Sequence, residues 1–245
     1  MPDTYTEGEH RLHAAVRAAI SPGIWLALGI QMLVLLLSRS PAPAESNPGI
    51  NLTGVFEVVA ILLFLYIQAG AFAALALGRD RISVADVFQR GKEVFTDFMW
   101  LAIKASLLLA LALSIVIYMF MPEQAQEQDI KAWMEQFSPY FVPLVSVFGF
   151  IFVYWIPIVF VRRHFKLFPT WRAALQIAWR RLPYAGYLAF LTLTPSLLSE
   201  FLPAIPAVVL MVLSVLGGWM GWVAYIYCVE VLLDEPKPTA PVTAE

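Results

Sequence analysis

Few residues of this chain are of a type that does chemistry inside an apolar setting, and they are scattered. Lys104 and Glu230 lie within long apolar runs, each close to the basic-flanked end of its run. An ionised group at the centre of a membrane helix costs roughly 2.5–3.5 kcal/mol on insertion scales, so such positions are the first candidates for transport or coupling. The stem of Lys104 is long enough to carry its ammonium back to headgroup level. Glu230 stands at a comparable depth, and an intramembrane ion pair between the two is expected. Gln31 and Gln68 are deeper and uncharged. Amides there ordinarily hydrogen-bond between helices, for about 0.6–2 kcal/mol, with solute binding as the second use. Glu57 and Glu200 fall near the ends of apolar runs, where water solvates them.

Other chemistry lacks its constellation. His10, His13 and His164 show no HExxH spacing and no Asp-rich pair. The single cysteine, Cys228, excludes an intrachain disulfide and a thiolate metal cluster. A proton relay needs acids and histidines at mid-depth, and the apolar runs carry none there. The expectation is a non-enzymatic protein with no catalytic residue, no cofactor and no metal. Nucleic acid is not an expected partner, because no basic domain stands apart from the loops that flank the apolar runs.

Those runs dominate the 245 residues, of which 60% are hydrophobic and 14% charged, with a mean hydropathy of +0.73. An average soluble domain carries about 25% charged residues. Six segments stand out: Ile20–Leu37, Gly54–Gly78, Phe98–Met121, Pro139–Val161, Tyr184–Leu198 and Ala204–Leu232. Several reach the roughly 20 residues that cross a bilayer core about 30 Å thick. They lack the period-2 alternation of a membrane barrel, and in hydrocarbon the remaining way to satisfy every backbone group is the helix. Gly217 with Gly221, and Gly70, Ala74 and Gly78, form small-residue faces suited to close helix packing.

The basic residues orient the spans. With the N-terminus inside, the inner segments hold Arg11, Arg17, Arg79, Arg81, Arg90, Lys92, Arg162, Arg163, Lys166, Arg172, Arg180, Arg181 and Lys237, 13 of the 16. The outer loops hold Arg39 and Lys131. The positive-inside rule then predicts both termini in the cytoplasm. The first ten residues are acidic and polar and do not resemble the basic start of a signal peptide. The outer connection 122–137 has apolar residues at helical spacing, and the Pro-rich end, 234–245, reads as disordered.

An amphipathic segment precedes each odd-numbered span. Leu12, Val16 and Ile20 oppose His10, His13 and Arg17, ahead of a break at Ser21-Pro22-Gly23. Val84, Val87, Phe88, Gly91 and Phe95 oppose Asp86, Gln89, Arg90 and Glu93, and Ser83 with Asp86 suggests a capping box. Trp171, Ala174, Leu175, Ala178 and Leu182 oppose Arg172, Gln176 and Arg180. Each leads into an aromatic-Leu-Ala step, at Trp25, Trp100 and Tyr187. The pattern predicts three repeat-like units, about 11–78, 83–161 and 169–233, each a short interfacial helix followed by a hairpin of two spans. Arg90, Lys92, Arg172, Arg180 and Arg181 are the candidate contacts for anionic headgroups at the cytoplasmic face.

The stretches ISVADVFQRGKEVFTDFMWLAIKASLLLALAL and PIVFVRRHFKLFPTWRAALQIAWRRLPYAGYLAFL carry a resemblance. The arrangement is similar to that of bacterial six-helix inner-membrane proteins, the YciC-like and related families. It spans about Arg11 to Leu232 and rests on pattern more than on invariant residues. It implies a polytopic inner-membrane protein and transfers no active site.

The expected architecture is all-α. A polar tail (1–10) precedes one six-helix membrane domain (11–233) with three hairpins and short interfacial helices. The expected activity is lipid interaction or scaffolding of a membrane complex with another membrane protein as partner; the alternative is a small-solute transporter or channel.

Overall fold

The computed structural model describes residues 4–38, 52–78, 81–120, 154–180 and 207–233, and all regular structure among them is α-helical. The helices are α1 (Thr4–Ala19), α2 (Pro22–Ser38), α3 (Leu52–Leu75), α4 (Val84–Phe120), α5 (Leu167–Arg180) and α6 (Ala207–Leu233). Residues 154–161 form a further helical stretch leading into α5. Three segments, Gly54–Leu75, Val84–Ala112 and Met211–Leu233, are long and apolar enough to cross a membrane. A fourth crossing results if α1 and α2, which pass the same test together, form one bent span. The expected span Tyr184–Leu198 lies outside the described residues, as do most of Pro139–Val161, the connection 122–137 and the tail 234–245.

The break between α1 and α2 bends the chain by 64°. Pro22 cannot donate to an α1 turn, but suits the first position of a new helix. The N–H groups of Ile24 and Trp25 both donate to the Ser21 carbonyl, at 3.0 and 3.3 Å. Two distant elements brace the bend. The Trp219 indole of α6 donates to the Ala19 carbonyl (3.2 Å), and the Gly23 N–H donates to the Ile82 carbonyl (3.2 Å). Gly23 has to be small, since a Cβ there would stand 2.8 Å from Val87 Cγ2 and 2.9 Å from Ile82 Cγ1.

The first amphipathic segment buries a different face from the one its large residues suggest. Leu12 and Ile20 are exposed, whereas Ala15, Ala18 and Ala19 pack into the core. Helix α1 also begins at Thr4, inside the segment expected to be a polar tail.

The second amphipathic segment is not a separate helix. It is the start of α4, which continues without a break into the apolar run. At about 1.5 Å per residue the whole helix is roughly 55 Å long, well beyond the hydrocarbon core. Its start is the expected capping box: the Ser83 N–H donates to Asp86 Oδ2 (2.9 Å), and the Asp86 N–H donates to Ser83 Oγ (3.1 Å). Val87 and Gly91 are buried against α3, where the ring of Tyr66 meets Phe88 and Phe95 and its hydroxyl donates to the Phe88 carbonyl (2.7 Å). Protein therefore receives Val87 and Gly91, while Val84 and Phe88 of the same stripe stay exposed.

The C-terminal halves of α3 and α6 lie in the core, while their N-terminal halves are exposed or half-buried. Phe72 of α3 is the hub of an aromatic cluster, with ring centroids 6.2 Å from Phe98, 5.5 Å from Phe160, 4.8 Å from Trp222 and 4.6 Å from Tyr225. The Tyr225 hydroxyl donates to the Phe72 carbonyl at 2.9 Å, which satisfies a phenol that burial would otherwise penalise. On α6 the small residue at the close contact is Gly218, whose added Cβ would stand 2.9 Å from Leu28, whereas Gly221 faces open space.

Candidate functional site

The polar residues of the apolar runs are not gathered at one place. Lys104 is exposed on α4, and Gln68 is buried in α3. Gln31 of α2 faces α6, where a Cβ added to Gly218 would stand 3.6 Å from both of its amide heteroatoms. Glu230 lines an open recess of about 360 Å3 with His10, Arg11, Ala14, Gly78 and Leu233. The other titratable residues lining it, His10 and Arg11, come from α1, and Lys104 of α4 is not among its lining.

The candidate headgroup contacts differ in setting. Arg90 is engaged along its own helix, donating to Glu93 Oε2 at 2.7 Å, while Lys92 and Arg172 are exposed. The side chain of Arg180, and Arg181 altogether, lie outside the described residues.

Among the described residues, the densest grouping of cationic side chains is in the turn between residues 154–161 and α5. Here the chain reads Arg162-Arg163-His164-Phe165-Lys166. The Arg163 N–H donates to the Phe160 carbonyl (3.3 Å) and the His164 N–H to the Val159 carbonyl (3.0 Å), the paired bonds of a Schellman cap. That cap needs a left-handed residue, and Arg163 supplies it at φ 48°. Glycine is the usual occupant, because a Cβ in this region costs roughly 1–2 kcal/mol. The turn after α3 follows the common solution, with Gly78 at φ 71°.

Neighbouring packing holds the Arg163 turn in place. Buried Thr170 donates to the Lys166 carbonyl (2.5 Å) and accepts the Trp155 indole N–H (2.6 Å). Phe165 meets Phe160 edge to face at 5.4 Å, and Trp155 lies 6.1 Å from Trp171.

Helix α5 thereby acquires two apolar faces. The inner one comprises buried Thr170 and Ala174 with half-buried Leu167, Trp171, Ala173 and Ile177. The outer one comprises Phe168, Arg172, Leu175 and Trp179, spaced i, i+4, i+7 and i+11. Phe168 is 72% exposed and Trp179 79%, far too open for core residues. The expected division of α5 is corrected accordingly: Trp171 turns inward to the protein, and Arg172 shares the exposed face with Leu175. Phe168 and Trp179 were missed as site residues, although their spacing with Leu175 was available in the sequence.

Chemically, a rigid cationic turn beside an exposed aromatic face suits a phosphate attached to something apolar. No grouping of three or more metal-ligating side chains occurs among the described residues. No protein-family model, curated protein or solved structure matches the chain.

Proposed function

We propose that this chain is a non-enzymatic, multi-pass protein of a bacterial inner membrane that interacts with anionic lipids and thereby helps scaffold a membrane complex. The observation that carries this reading is the outer face of α5, where Phe168, Leu175 and Trp179 are exposed together with Arg172. Exposed aromatics beside a basic side chain match the interface between acyl chains and headgroups. Six spans in three hairpins, with both termini cytoplasmic, would bring Arg90, Lys92, Arg162, Arg163, Lys166 and Arg172 to one anionic surface. Each is worth on the order of 1 kcal/mol there.

The second reading is a small-solute transporter. It draws on the broken α1–α2 pair and on Ser21, whose buried hydroxyl has no hydrogen-bond partner at the break. Broken helices in transporters mark binding sites near mid-membrane.

The test uses the full chain in nanodiscs of equal phosphatidylcholine and phosphatidylglycerol, extracted gently and weighed by native mass spectrometry. Preferential retention of phosphatidylglycerol is expected, and F168A/R172Q/W179A should lose it. Equal retention of both lipids overturns the lipid reading.

A further inference from the structure

We propose that the turn Arg162–Lys166 is a preformed site for a lipid phosphomonoester headgroup, with Arg163 held in a left-handed conformation to present its guanidinium. The proposal rests on the lipid reading above and deepens it by assigning a site and a headgroup class.

Two roles that need no ligand fail to explain Arg163. A cation near a helix C-terminus complements the helix dipole, but Arg162, one residue earlier with no positive φ, already does so. Positive charge for topology is equally served by any position in the turn. Neither role requires an arginine at the single residue where glycine would relieve strain, as Gly78 does after α3. Residues kept in a costly backbone region cluster at functional sites.

The surroundings identify the ligand. Arg162, Arg163 and Lys166 are exposed, and no side-chain hydrogen bond or ion pair engages them among the described residues. Three positive charges in five residues exceed what one phosphodiester neutralises. A phosphomonoester carries about −1.5 to −2 charges at neutral pH and presents three acceptor oxygens. Arginine meets such oxygens with a planar fork of donors. Phe168, two residues beyond Lys166 and 72% exposed, argues for a phosphate that bears acyl chains over a soluble one.

The experiment compares the full chain with Arg163→Gly in nanodiscs containing phosphatidylcholine with equal phosphatidic acid and phosphatidylglycerol. Retained lipids are weighed by native mass spectrometry, and melting is followed in the same detergent. The native chain should retain phosphatidic acid over phosphatidylglycerol, and Arg163→Gly should lower that ratio about fivefold. The same substitution should raise the melting temperature, because glycine removes the strain. Arg162→Gln should weaken the preference without stabilising. Higher stability with an unchanged lipid ratio overturns the proposal and leaves the general anionic preference standing. Equal retention of the two acidic lipids also overturns it. Displacement of phosphatidic acid by millimolar inorganic phosphate would assign the turn to free phosphate and overturn the lipid assignment. Absence of any anionic preference removes both this site and the reading beneath it.

Discussion

Gly70 of α3 and Gly91 of α4 mark the place where two helices meet backbone to backbone. A Cβ on Gly70 would collide with the Val87 carbonyl group and stand 3.0 Å from the Gly91 nitrogen. One on Gly91 would stand 3.0 Å from the Tyr66 ring and 3.1 Å from its carbonyl oxygen. The crossing is small-residue packing, in which the loss of side chains brings dispersion partners closer.

Gly70→Ala should therefore destabilise the protein by about 1–3 kcal/mol, since the obstacle is backbone and cannot rotate away. Gly29→Ala is the matched control on α2, with nothing within 4 Å of its new methyl group. It should be neutral or stabilising by up to about 1 kcal/mol through helix propensity. Thermal melts of both in one detergent give the comparison, and equal melting temperatures would refute the close crossing.

The Trp155–Thr170 hydrogen bond should show a clear asymmetry. Trp155→Phe removes a donor from a hydroxyl that still has the Lys166 and Leu167 carbonyls, 2.5 and 3.1 Å away. It should cost about 0.5–1.5 kcal/mol. Thr170→Val takes away the acceptor of the buried indole bond and should cost more, about 1–3 kcal/mol. A double-mutant cycle in chemical denaturation checks it, and additive effects would mean that the two side chains do not couple.

Trp219→Phe should loosen α1 selectively. The indole N–H is donated to Ala19, the last residue of α1, across 200 positions of sequence. Its loss leaves that carbonyl without the brace from α6, so amide exchange should accelerate in α1 while the centre of α3 stays protected. Uniform acceleration throughout the protein would contradict a local role for this bond.

Orientation can be read by cysteine labelling. Cys228 is buried and should stay silent. Cysteines at Ser83 and Lys166, both exposed, should resist an impermeant thiol reagent in intact cells and react after permeabilisation. Those at Ser46 and Gln126 should react from outside. The reverse pattern would invert the proposed topology. Thr170 is unsuitable as a reporter, because its side chain is buried against Trp155.

The sequence by itself determined the helical class, with runs long and apolar enough to cross a membrane, the apolar character of α2, α3 and α6, the break at Ser21-Pro22-Gly23 and the start of α4 at Ser83. Each depends on a local property: run length, a missing N–H, or a side chain that satisfies its neighbour's backbone. Tertiary structure alone decided what each amphipathic stripe touches. Val87 and Gly91 meet α3, Ala15 and Ala18 are buried where Leu12 is not, and Phe168 with Trp179 remains exposed. Periodicity reports which residues share a face, but hydrophobic burial has no direction, and lipid tails are as apolar as a neighbouring helix. Depth likewise suggested Lys104 for Glu230, whereas the packing of α1 lines the recess at Glu230 with His10 and Arg11. A one-dimensional pattern encodes height along a helix, and only packing chooses the side.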